Sequence, residues 1–156
     1  MRAKALGPAF GALLLIAGFC IGSSHAEEKG EFVDGEFVEG YTYVPDFMPP
    51  EELRKKIQTH ATDTVIVDTA APAIWEDEHI KGAINYPWVH ELEQPVKLPR
   101  DKTLVIYCAC KDHEDSTDMA KKLSQVGFLN VKVLQGGWFK WVDLGYETEG
   151  QAVGGK

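Results

Sequence analysis

Two short apolar runs constrain this chain more than anything else in it: "TVIVD" at 64–68 and "TLVIYC" at 103–108. Side chains of a strand point alternately to its two faces. A strand that is apolar at every position must therefore be covered on both sides, as in a parallel sheet packed between helices. The segments between and around the runs read as helices and shorter strands. "PPEELRKKIQ" (49–58) has Pro in its first turn, Glu51 and Glu52 early and Lys55 and Lys56 late, an order that matches the helix dipole. "STDMAKKLSQV" (116–126) places Met119, Ala120, Leu123 and Val126 on one face, and Gly127 follows as a stop. "GGWFKWVDLG" (136–145) predicts a last helix, while "YTYV" (41–44), "GAIN" (82–85) and "NVKVL" (130–134) predict short strands. Strands alternating with helices define an α/β fold with a mainly parallel central sheet flanked by helices on both faces. Sites in such sheets form at the carboxyl ends of the strands. Asp68 and the pair Cys108 and Cys110 fall there.

The first 26 residues have the form of a signal peptide. Arg2 and Lys4 precede an apolar stretch at 9–21, and Ser24-His25-Ala26 fits a small-x-small cleavage site. Cys20 follows Phe19, where a lipoprotein signal needs a small residue. The apolar stretch is short for a span of about 20 residues. The expectation is an exported protein, periplasmic or secreted, with no stable membrane insertion. All 24 acidic residues but only 14 of the 16 basic ones lie beyond residue 26, so that portion carries a charge of −10. Such a charge disfavours nucleic acid and anionic membrane surfaces as partners. Two cysteines remain there, too few for a disulfide framework, so their placement points to chemistry or to one local bridge. Residues 27–40 are acidic and Gly-rich and repeat "EFVDG" as "EFVEG". That segment reads as a tether or an added edge hairpin, or as a docking element for a protein partner. A domain at 41–149 and a tail at 150–156 complete the organisation.

The segment "CACKDHEDS" (108–116) lies between a buried strand and a helix. A loop there can curl its amides around one point, and the helix N-terminus adds partial positive charge. A thiolate held at that point is stabilised and its pKa falls below about 8.5. Two semi-buried structural cysteines would produce the same pattern, so the loop alone leaves both readings open.

Four motifs in order resemble the rhodanese family of sulfurtransferase domains over about residues 41–149. They are "VIVDT" (65–69), "HIKGAINYP" (79–87), "LVIYC" (104–108) with the later Ser116, Ala120 and Leu123, and "VLQGGWFKW" (133–141). The resemblance implies a catalytic cysteine six residues before the helix-opening serine. Counted back from Ser116, that cysteine is Cys110. Counted from the strand, Tyr107-Cys108 takes the place of the family's Tyr-Cys and the loop becomes two residues too long. The first register makes Cys108 a buried strand-end residue or a second, resolving thiol. It leaves Lys111, Asp112, His113, Glu114, Asp115 and Ser116 to surround a bound sulfur, with Asp68 in support.

The implied chemistry is transfer of sulfane sulfur through a Cys110 persulfide, from a small donor to a thiol or cyanide acceptor, without a cofactor. Two other classes fit the same residues: a Cys108/Cys110 dithiol redox protein, and a catalytically weak binding or carrier module. Cys108, Cys110 and His113 lack a fourth ligand in sequence, so no metal is expected. Members often carry Arg at the last loop position, where this chain has Asp115, which argues against the C-x5-R chemistry of the related phosphatases. Ala70 stands where the family has Arg, and Glu78 where it has Gly. Side chains 111–115 sum to −2 with His113 neutral. At about 7 Å each charge is worth roughly 0.6–2.4 kcal/mol, enough to rival the roughly 0.3–1 kcal/mol of a helix end. Thiosulfate, a dianion, therefore meets an unwelcoming rim.

The signal peptide gives the first testable expectation. N-terminal sequencing of protein from the periplasmic fraction should begin at Glu27, and recovery of intact Met1 in the membrane fraction would contradict it.

Overall fold

The structure is a computed structural model that describes residues 43–152 in full and, before them, the backbone of residues 30–33 and 36–39. The expected signal peptide lies outside the described residues. In chain order the elements are β1 (Gly30–Val33), β2 (Glu36–Glu39), β3 (Phe47–Met48), α1 (Pro50–Gln58), β4 (Thr64–Asp68) and α2 (Pro72–Asp77). Then follow β5 (His79–Ile80), β6 (Ile84–Asn85), β7 (Thr103–Tyr107), α3 (Glu114–Gln125), β8 (Val131–Leu134), α4 (Gly137–Asp143) and β9 (Thr148–Glu149). Within the repeated pentapeptides, β1 pairs antiparallel with β2. β5 and β9 form a second small antiparallel pair.

The central sheet has the order β3-β8-β7-β4-β6, and all four pairings are parallel. β7 lies in the middle. Its continuous apolar run divides by alternation between two cores. Leu104 and Ile106 join Val67, Val131 and Val133 against Met119, Ala120 and Leu123 of α3. Val105 and Tyr107 join Ile66, Met48 and Leu134 on the other face, against Leu53 of α1 and Trp141 of α4. Leu104, Val105 and Ile106 are fully buried. Burying a side chain of this size stabilises the fold by about 1.5–3 kcal/mol. A polar residue at any of these positions would lose that contribution and strand a polar group as well.

Two local expectations change. The strand predicted at 41–44 is absent from its described part, since Tyr43 and Val44 are irregular and pairing begins at Phe47. Pro45 lacks the N–H that a ladder needs, and the first contact with β8 is the bond from Val133 N–H to the Asp46 carbonyl. The second change is at α3, which begins at Glu114, two residues before Ser116. His113 takes a left-handed conformation (φ 59°) and turns the chain into the helix early. Glu114 and Asp115 thereby become first-turn residues, where the helix dipole favours acids. α2 and the β5–β9 pair are additions to the expected elements. Among the described residues, no helix is long and apolar enough to cross a membrane.

Candidate active site

β4, β7 and β8 end side by side, and three loops meet above them. The strand ends are cross-tied through carbonyls of β7 and its first loop residue. The Tyr107 carbonyl accepts from Thr69 N–H at 3.0 Å and Thr69 Oγ1 at 3.1 Å. The Cys108 carbonyl accepts from Trp138 N–H at 3.1 Å. Asn85 of the "HIKGAINYP" segment donates to the Ala70 carbonyl at 2.8 Å, fixing the loop after β4. Its backbone partner is Asp68, in register across β4 and β6.

Asp68 is buried and engaged below the loop by its own neighbours. Its Oδ1 accepts from Ala70 N–H at 2.8 Å, and the Tyr107 hydroxyl donates to its carboxylate. Tyr107 accepts in turn from Ile80 N–H at 3.1 Å. Burial pushes the Asp68 carboxyl above its ordinary range, against the lowering effect of Tyr107, Ala70 N–H and His79. Burial also pushes the Tyr107 phenol up, and the neighbouring Asp68 charge adds to it. His79 is a structural residue of the same cluster. Its Nδ1 donates to the Trp75 carbonyl at 2.6 Å, and its ring stacks on Trp75 at 4.2 Å.

Cys108 and Cys110 are joined by a disulfide with Cα atoms 5.4 Å apart. Cys108 is 2% exposed, while Cys110 is partly exposed. Ser116 is fully buried beneath the loop, with Oγ 3.4 Å from Cys108 Sγ, and it donates to the His113 carbonyl at 3.1 Å. Glu114 is now the residue that opens the helix, and six residues before it stands Cys108, so the helix boundary and the serine select different sulfurs. Of the two, Cys110 is the more exposed.

His113 anchors the loop. Its Nε2 accepts from Gly136 N–H at 3.3 Å, which assigns the ring proton to Nδ1. Nδ1 is buried with no partner among the described residues, and the ring packs edge-on against Phe47 at 5.8 Å. Lys111, Asp112, Glu114 and Asp115 are exposed around it. An open groove of about 380 Å³ beside them is lined by Tyr43, Asp112, Glu114, Thr117, Asp118 and Lys121. Trp88 flanks the same helix, 40% exposed, with its indole N–H on Asp118 at 2.6 Å. Among the described residues, no three His, Cys, Asp or Glu side chains are grouped to hold a metal ion.

Several supporting residues had weak or no sequence signals. Thr69 and Tyr107 act through positions that sequence reads only as strand. Asn85 and the pair Gly136-Gly137 were visible inside motifs without a stated task. Gly137 has φ 53°, and a Cβ there would lie 2.9 Å from the Cys108 carbonyl and 3.4 Å from His113 Nδ1. The glycine lets the start of α4 press against the loop.

A parallel sheet with a cysteine loop leading into a helix at its carboxyl edge places the candidate site where α/β folds build their sites. The rhodanese-like domain family model matches residues 49–144, and the chain belongs to that family. A probable adenylyltransferase/sulfurtransferase of Mycobacterium tuberculosis is 32% identical over 94 residues, which are 59% of this chain and 23% of that protein. The chain thus spans about a quarter of that relative's length. The thiosulfate:glutathione sulfurtransferase of Saccharomyces cerevisiae is 25% identical over 108 residues, 61% of this chain and 76% of that one. Among solved structures, the BH2092 protein of Bacillus halodurans superposes with a TM-score of 0.64 at 27% identity, covering 69% of this chain and 79% of that one.

Two predictions follow from the cross-ties. Gly137→Ala forces a side chain into a left-handed backbone and against a carbonyl. It should destabilise the protein by roughly 1–3 kcal/mol in urea unfolding, with any unchanged midpoint contradicting the contact. The raised Asp68 pKa means that the folded state binds this proton more readily than the unfolded chain. The stability it contributes is fully present below the unfolded value of about 3.9 and is lost as pH rises through the raised folded value. Relative to Asp68→Asn, the wild type should therefore lose stability over that interval, measured as the difference between the two urea midpoints at each pH.

Proposed function

We propose that the protein is a sulfurtransferase whose Cys110 thiolate, once the disulfide is reduced, attacks a sulfane sulfur and carries it as a persulfide to a thiol or cyanide acceptor. The observation that carries this reading is the placement of a partly exposed Cys110 over a buried Cys108, in a loop that leads into the N-terminus of α3. Helix-end amides and the loop's own N–H groups favour a thiolate and then a perthiolate there. Membership of the rhodanese-like family and the sulfurtransferase names of its relatives support the same chemistry. The disulfide favours a second reading, a dithiol redox protein.

Donor preference follows from charge. The yeast relative is named for thiosulfate and glutathione, but here the exposed acids Asp112, Glu114 and Asp115 border the loop, with Lys111 as the nearest opposing charge in sequence. A neutral or cationic persulfide donor suits this rim better than thiosulfate. Export to an oxidising compartment belongs to the same proposal, with a protein partner at the acidic N-terminal segment.

Intact mass after reduction and exposure to a sulfane-sulfur donor tests the nucleophile. Cys110→Ser should take up no sulfur, while Cys108→Ser should carry one added sulfur. Loss only in Cys108→Ser would move the nucleophile to Cys108, and equal loss in both would favour the dithiol reading.

Asp115→Arg changes the rim by two charges. After discounting for exposure and salt, it should raise kcat/KM for thiosulfate severalfold at low ionic strength, with the gain shrinking as salt rises and much smaller for a neutral persulfide donor. Equal gains for both donors would show that Asp115 does not set donor charge preference.

A further inference from the structure

The disulfide and the sulfurtransferase chemistry need not be rivals. We infer that this site releases its bound sulfur as sulfide: Cys108 attacks the Cys110 persulfide, and the Cys108–Cys110 disulfide is the product. This inference rests on the proposed Cys110 persulfide and adds a reductive second step to it.

Three observations carry it. The two sulfurs are within bonding reach on the backbone as it stands, because the Cα separation of 5.4 Å lies inside the range that disulfides span. Their exposures differ in the sense the step requires. Cys110 is open to a donor, whereas Cys108, 2% exposed, is shielded from one yet sits against Cys110 Sγ. Finally, Cys108 has a fixed polar neighbour. Ser116 Oγ lies 3.4 Å from its sulfur, with the serine hydrogen directed to the His113 carbonyl at 3.1 Å. In the reduced protein the Cys108 thiol donates to that oxygen. When the thiolate forms, the hydroxyl can rotate and donate to it. Ser116 is thus a positioning residue for Cys108.

The step balances as follows. Cys108 sulfur forms a bond to Cys110 Sγ, and the bond from Cys110 Sγ to the outer sulfur breaks. The electron pair leaves with the outer sulfur, and the Cys108 proton ends on it, so a neutral persulfide yields hydrogen sulfide. The outer sulfur is reduced by two electrons, and the two cysteines are oxidised to the disulfide. An external dithiol then reduces the disulfide by exchange and restores both thiols. The overall activity is dithiol-driven reduction of sulfane sulfur to sulfide.

A single turnover without reductant tests it. The full chain is reduced, freed of reductant under anaerobic conditions and given one equivalent of p-toluenethiosulfonate, a monoanionic donor that leaves as sulfinate. Sulfide is trapped with a bimane, and intact mass is read in parallel. The wild type should release one sulfide per chain and end lighter by two hydrogens. Cys108→Ser should keep one added sulfur and release about tenfold less sulfide or lower. Wild type that keeps the added sulfur and releases none overturns the inference while leaving the persulfide reading intact, a result that does not depend on the variant folding. Equal sulfide from Cys108→Ser also overturns it. No added sulfur on either protein and no sulfide would remove the persulfide reading itself.

Discussion

The middle strand of the sheet is the element on which the site depends. β7 is hydrogen-bonded along both edges and buried on both faces, so neither its register nor its end has freedom to drift. Its last carbonyl and the next one are then claimed by different neighbours, Thr69 after β4 and Trp138 at the start of α4. The first cysteine therefore leaves the sheet in a direction set by three strands together. The loop's far end is held separately, by the His113 ring on Gly136 N–H and by Ser116 on the His113 carbonyl. Cys108 sits at the near fixed end, and Cys110 lies among the few residues between the two ends.

This arrangement separates the polar residues around the site into two groups with different work. Asp68, Tyr107 and His79 form a buried network, with partly buried Asn85 at its edge, in which donors and acceptors are largely matched, and it supports the strand ends from below. Such a network is stabilising only while its members are paired. Asp112, Glu114 and Asp115 stand outside it in water, and two of them are also first-turn helix residues. Their presence is then explained partly by the helix they begin, before any substrate is considered.

The sheet was legible in the sequence because burial on both faces leaves an apolar mark along the middle of "TVIVD" and "TLVIYC". The helix faces were legible from spacing, and the motifs of the rhodanese-like family placed the strand ends in order. The start of α3 was not, because a left-handed His113 carries no propensity signal, and Ser116 looks like a cap while sitting a turn inside. Nor does sequence spacing decide between two sulfurs two residues apart. The two differ in burial, which depends on Ser116 and on how α4 closes over the loop at Gly137. The strand predicted at 41–44 failed for a simpler reason: β-forming residues do not make a strand where Pro45 interrupts the ladder.

The borders of the central sheet have a consequence for how the molecule behaves among its neighbours. β3 and β6, the two outermost strands, are each only two residues long. A foreign chain laid along either would find almost no row of free amides and carbonyls to extend, which is how natural sheets discourage edge-to-edge association. The longer strands with strong self-templating sequences are shut away in the interior. The central sheet should consequently resist cross-strand association at its borders as long as the short rims stay folded. Loss of β3, whose neighbour β8 would then be uncovered, is the opening through which it would begin.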